Sequence, residues 1–169
     1  MDYAQQLNGM KIMRINIEVA PGELIDRITI LEIKLANITD KEKLQSVHNE
    51  LETLERSTRQ MRAQLENEQE KLDQLDRLAF RLKMTNEQIW DIEDRIRDLE
   101  RDQKFGEDFV ETARSVYFTN DQRAELKKEI SILFGSDIAE AKSYSEYKCD
   151  QHTAEEPCQC PENKCPDQD

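Results

Sequence analysis

QEKLDQLDRLAFRLKMTNEQIWDIEDRIRDLERDQ, residues 69–103, decides the fold. Its apolar side chains at Leu75, Leu78, Leu82, Ile89, Ile92, Ile96 and Leu99 recur at spacings of three and four, with Thr85 filling the gap between Leu82 and Ile89. That is a sustained heptad seam. No glycine or proline lies between Gly22 and Gly106, so nothing in the covalent chain forces this stretch to break. As one helix it would span about 50 Å. A helix that long with a single apolar stripe is unstable alone, and the flanking segments must supply its partner surface.

Working outward towards the N-terminus, Leu44, Val47, Leu51 and Leu54 form a second stripe that continues to Met61 and Leu65. Its phase does not match the later seam, which predicts a register change and a turn between Ser57 and Glu70, with one continuous helix as the alternative because the residues there are helix formers. Before it, Leu24, Ile28, Leu31, Leu35 and Ile38, widened by Ile25, predict another helix, with Pro21 as its first residue and Glu23 at the positive end of its dipole. Thr39 followed by Glu42 reads as a capping box between these two helices. Met13, Ile15, Ile17 and Val19 alternate with Arg14, Asn16 and Glu18, the pattern of a half-buried strand. No partner strand is evident, so an extended arm laid across the helices is expected. The sharper alternative is an exposed edge that pairs with a symmetry mate or another protein.

Towards the C-terminus, Lys104-Phe105-Gly106 ends the long helix. Phe109, Val110, Ala113, Val116 and Tyr117 predict a short helix, and Thr119-Asn120-Asp121 would cap a last one carrying Leu126, Ile130 and Leu133 and closed by Gly135. The expected fold is all-α, an elongated bundle of about five helices with a long antiparallel coiled-coil hairpin. Residues 1–10 read as a loose leader, 11–144 as the helical domain, and 145–169 as a disordered acidic tail rich in cysteine and proline.

With 37 acidic against 24 basic residues the net charge is −13, which argues against nucleic acid as a partner. No apolar run approaches the ~18 residues of a membrane span, and the first ten residues have no signal-peptide core, so a cytoplasmic protein without membrane contact is expected. All four cysteines fall in the tail, so the folded body needs no disulfide.

Several stretches in combination resemble a family of small bacterial and phage proteins known only as a domain of unknown function. They are Pro21-Gly22-Glu23-Leu24-Ile25-Asp26, Ile30-Leu31-Glu32-Ile33-Lys34, Trp90-Asp91-Ile92-Glu93-Asp94, Arg114-Ser115-Val116-Tyr117, Thr119-Asn120-Asp121 and Lys142-Ser143-Tyr144. The resemblance implies an all-helical body over about residues 15–144 with a turn near 57–69, and an association with glycosyltransferase genes. It carries no assigned active site.

Two clusters could hold a metal. Glu87, Asp91, Asp94 and Asp98 share one face of the long helix, as carboxylates do when a helical hydrolase binds magnesium. The plainer reading pairs them with Arg114, Arg123, Lys127 and Lys128 across the bundle, or leaves a solvated face relieved by Arg95 and Arg97. Cys149, His152, Cys158, Cys160 and Cys165 could together supply a tetrahedral zinc site, although their spacing matches no standard finger. Trp90 reads as a helix-interface aromatic. Arg114, Tyr117, Asn120 and Asp121 would sit at the start of the last helix, where an anion could bind, though an ordinary cap satisfies the same donors. His48 and His152 belong to no triad.

The function expected is non-enzymatic: an uncovered seam near the hairpin tip recruits a second copy or another helix. The alternative is a small helical enzyme or accessory factor, in surface-glycan assembly by family association, using a metal on the acidic face. Asp91→Asn with Asp94→Asn should leave the protein at least as stable without metal, as thermal unfolding with chelator would measure; loss of fold would show that these carboxylates are structurally paired.

Overall fold

The computed structural model describes residues 15–138 as one stretch. Four helices account for it: α1 (Pro21–Asn37), α2 (Lys41–Ala63), α3 (Gln69–Arg101) and α4 (Glu107–Leu133). The all-α bundle is as the periodicity predicts, and no strand occurs among the described residues. The leader, residues 1–10, and the tail, residues 145–169 with its five candidate zinc ligands, lie outside them.

The hairpin is built by α3 and α4, whose shared interface is the most extensive in the bundle. Arg95 pairs with Asp108 near the connection and Arg81 with Glu129 further from it, so the two helices run antiparallel. Leu75, Leu78 and Leu82 from α3 and Leu126 and Ile130 from α4 form the core with Ile25 of α1 and Met61 of α2. Each such aliphatic side chain contributes about 1.5–3 kcal/mol on burial.

Helix α1 packs against all three other helices and is accordingly buried on more than one face, with Ile25, Ile28, Leu31 and Ile33 all covered. It lies antiparallel to α4, since residues 22, 23 and 26 meet residues 131, 127 and 123 in turn. Gly22 permits the approach. A β carbon there would lie 2.1 Å from the Lys127 carbonyl oxygen. Helix α2 carries fewer buried residues, Val47 and Met61, and rests chiefly on α1.

Three expectations about the connections change. The cap of α2 is Asp40, not Thr39: its Oδ1 accepts from the backbone N–H groups of Glu42 and Lys43 at 3.0 and 2.9 Å. The expected break at Thr119–Asp121 does not exist, and among the described residues four helices replace about five. Thr119 Oγ1 and Asn120 Nδ2 donate back to the Ser115 and Val116 carbonyls, so both side chains bond within the helix they were expected to start. The arm is not laid across the bundle, since Ile15 and Ile17 are each 76% exposed and Val19 is 47% exposed.

The turn expected between residues 57 and 70 spans residues 64–68, between α2 and α3. Short-range bonds from the Gln64, Leu65 and Glu66 N–H groups tighten the chain there, and Leu65 folds inward to near-complete burial. Arg62 then grips Asp76 across the turn at 2.6 and 3.3 Å.

Both hairpin helices end in the same six-to-one pattern. After α4, Ser136 N–H donates to the Ser131 carbonyl and Gly135 adopts φ 65°, as its glycine allows. After α3, Lys104 N–H donates to Leu99, but the left-handed residue is Gln103, at φ 55°. A side chain with a β carbon is strained there. Gln103→Gly should therefore stabilise the protein by about 0.5–1 kcal/mol, read as a raised urea midpoint with an unchanged slope.

Candidate functional site

The most concentrated polar chemistry lies inside the bundle. Asp26 on α1, with only 4% of its surface exposed, sits at the meeting of α1, α3 and α4. Arg123 of α4 donates Nε to Asp26 Oδ1 at 2.8 Å and Nη2 to Oδ2 at 2.6 Å, a fork that matches the carboxylate's geometry. Asn86 of α3 donates Nδ2 to the same Oδ1 and to Thr29 Oγ1, both at 2.9 Å. The Thr29 hydroxyl in turn donates to the Asp26 backbone carbonyl at 2.9 Å.

Helix geometry puts these groups in line. Arg123, Lys127 and Ser131 are spaced by four along α4 and present one face. Against them α1 sets Asp26, then Glu23, which meets Lys127 at 2.6 Å, then Gly22, whose N–H donates to Ser131 Oγ at 3.1 Å. The Ser131 hydroxyl in turn donates to the Lys127 carbonyl at 2.9 Å. On the α3 side, Glu32 accepts from Lys83 at 2.8 Å, and that hydrogen bond raises the lysine pKa above its usual value. The favourable charge of this pair is present below the ordinary lysine range and lost as pH rises through the raised value.

Among the described residues no buried side-chain nitrogen or oxygen lacks a hydrogen-bond partner. Both oxygens of Asp26 are occupied by donors from other helices, which makes the cluster a pin that sets helix register.

The acidic face follows one branch of the plainer reading, a solvated face relieved from its own helix, and not pairing across the bundle, although Arg95 turns to Asp108 instead. Asp91, Asp94 and Asp98 are exposed and Glu87 is half-buried. Relief comes along the helix, from Arg97 at 3.6 Å to Asp94 and Arg101 at 3.0 Å to Asp98. Arg123 and Lys127, expected opposite this face, are engaged with α1, and Lys128 lies near Glu125. Among the described residues no group of three or more His, Cys, Asp or Glu side chains is placed to hold a metal ion. The expected anion site at Arg114, Tyr117, Asn120 and Asp121 loses its basis, because α4 has no N-terminus there. Trp90 is half-buried, and His48 is exposed on α2.

The seam is covered unevenly. Leu75, Leu78 and Leu82 are buried under α1 and α4, Ile89, Ile92 and Ile96 further along are only half-buried, and Leu99 beyond them is buried again. Across from them Phe109, Ala113 and Val116 are likewise half-buried, and Phe105 and Val110 near the connection are about half exposed, at 52% and 44%. Phe105 meets Phe109 edge to face at 5.3 Å.

The internal pin escaped the sequence reading, although a signal was present. Asn86 follows Thr85 in the one gap of the apolar seam, and a polar residue at a core position needs a partner. Asp26 and Thr29 lie on the same face of α1 as Gly22, but their partners are remote in sequence and no local spacing reveals them.

A sequence model described as a family of unknown function, DUF6165, matches residues 13–153. No curated protein and no solved structure matches the chain.

Asp26→Leu or Arg123→Met alone should cost about 3–5 kcal/mol by stranding the other charge, and the double substitution should recover most of that loss. Urea unfolding of the four-member cycle would measure it.

Proposed function

The chain belongs to this family of unknown function, and from its geometry we propose that it is a non-enzymatic assembly protein whose distal hairpin recruits a helical partner, a second copy or another amphipathic helix. The observation that carries this reading is the half-burial of Ile89, Ile92 and Ile96 beside exposed Phe105 and Val110. Two helices cover only part of a heptad seam, and a third or fourth supplies the missing knobs. The pinned proximal half of the bundle holds this surface in a fixed presentation, so little ordering is needed on binding. Anchors of this kind, aromatic and aliphatic with charged residues at the margin, are those that dominate helix-in-groove contacts. The chain's net charge of −13 favours a basic rim on a partner of another kind, whereas a second copy would associate through the apolar seam against that charge.

Light-scattering mass and thermal unfolding at several protein concentrations, with and without magnesium, test the proposal. The expected result is a mass or melting temperature that rises with protein concentration, or with an added helical partner, and ignores magnesium. Val110→Lys should abolish that dependence while preserving helicity. A monomer stabilised by magnesium would overturn the reading and turn attention to Glu87, Asp91, Asp94 and Asp98 as a metal face.

A further inference from the structure

Helix α1 shows what one flank of the hairpin accepts. It is held on α4 by Arg123, Lys127 and Ser131, and on α3 by Lys83 and Asn86. Lys83 and Asn86 each follow a seam residue, Leu82 and Thr85, whereas Arg81 and Arg95 each precede one, Leu82 and Ile96. The pairs Arg81 with Glu129 and Arg95 with Asp108 therefore bridge the opposite flank.

Seven residues are close to two helical turns, so positions seven apart face nearly the same way. Stepped by seven towards the hairpin connection, Arg123 leads to Val116 and Phe109, Lys127 to Asn120 and Ala113, and Ser131 to Ala124, Tyr117 and Val110. On α3, Lys83 leads to Trp90 and Asn86 to Glu93. None of these residues is buried, and Tyr117 and Val110 are 38% and 44% exposed. The seat of α1 thus continues distally as a partly covered track, polar where it holds α1 and mainly apolar beyond.

We propose that this track seats a basic amphipathic helix of another protein, in line with the seat of α1. The proposal rests on the reading that the distal hairpin recruits a helix, and it names the face and the partner's chemistry. Continuity supplies the shape: the proximal part of the same flank already holds a helix between α3 and α4. Charge supplies the partner. Residues 87–121 hold eleven acidic side chains against five basic ones. Four of those five are engaged within the hairpin, Arg95 with Asp108, Arg97 with Glu93, Arg101 with Asp98 and Lys104 with Asp102. Acids also border the track itself: Glu93 and Glu100 continue the line of Asn86 along α3, and Glu107 lies one turn before Val110 on α4. A second copy would bring the same acidic excess to the interface, whereas lysines or arginines beside an apolar stripe answer it.

Fluorescence anisotropy on the full chain tests the proposal with two labelled helical peptides of identical leucine stripe, one flanked by lysines and the other by glutamates. The lysine peptide should bind about tenfold more tightly than the glutamate peptide, and more weakly as salt rises. Val110→Lys and Gln88→Lys change the net charge equally, but Val110 lies on the track and Gln88, seven residues from both Arg81 and Arg95, on the opposite flank. Both positions are exposed, and circular dichroism of each variant should match the parent. Val110→Lys should weaken the lysine peptide about tenfold, and Gln88→Lys by less than about twofold. Equal weakening by the two variants would reveal diffuse attraction to an acidic surface and overturn the seat. Equal affinity for the two peptides, lost in Val110→Lys, would overturn the basic partner and leave helix recruitment standing. Binding of neither peptide, with a mass that rises with protein concentration, would make a second copy the occupant and overturn the proposal. Binding of neither with a constant mass would remove helix recruitment as well.

Discussion

At Gly22 the backbone of α1 comes nearer to α4 than any residue with a β carbon could allow, and the Lys127 carbonyl stands in the space such a carbon would need. Every other α1–α4 contact inherits its register from that approach. The next residue, Glu23, reaches the Lys127 side chain, and one turn on Asp26 enters the fork of Arg123. The close fit also solves a problem at the helix start. The first N–H groups of any helix have no partner within it, and Ser131, two turns beyond Arg123 on α4, satisfies the one on Gly22.

The apolar core alone would not choose among neighbouring arrangements, because a heptad seam looks much the same after a shift of seven residues. Asn86 removes that degeneracy. It occupies the one polar gap in the α3 seam and can be satisfied only where Asp26 and Thr29 arrive. The bundle is thus two regimes along one pair of helices: a proximal half fixed by directional bonds and dense packing, and a distal half where Ile89, Ile92 and Ile96 keep part of their surface in water. The difference follows from where α1 lies, since its bonds to α3 are made by Lys83 and Asn86.

Much of this was legible in the residues. The α3 seam, the stop before Asp40, the turn between Ser57 and Glu70 and the glycine closing α4 all rest on local periodicity or cap chemistry, which the sequence displays directly. The misreadings share a cause. Thr39 and Asp40 are both competent caps, and only the backbone path selects Asp40. Thr119, Asn120 and Asp121 have the composition of a helix start, yet with no glycine or proline between Gly106 and Gly135 the helix runs through, and the Thr119 and Asn120 side chains turn back to its own carbonyls. The arm's alternation predicted a buried face, but alternation says only that a face exists, and here Ile15 and Ile17 face solvent. The Asp26 pin was hidden for a different reason: its members lie on three helices, and remote pairing leaves no local pattern.

That remoteness also orders events in time. Arg95 and Asp108, across the hairpin connection, are 13 residues apart, so α3 and α4 can find one another with a short loop to close. Asp26 and Arg123 are separated by 97 residues, and Gly22 and Ser131 by 109. A nascent chain that has left the ribosome only as far as the hairpin connection carries α1, α2 and α3 but not Arg123, so Asp26 can meet Asn86 while its fork is still missing. The side of α1 that meets α4 is therefore among the last surfaces of the bundle to close during synthesis.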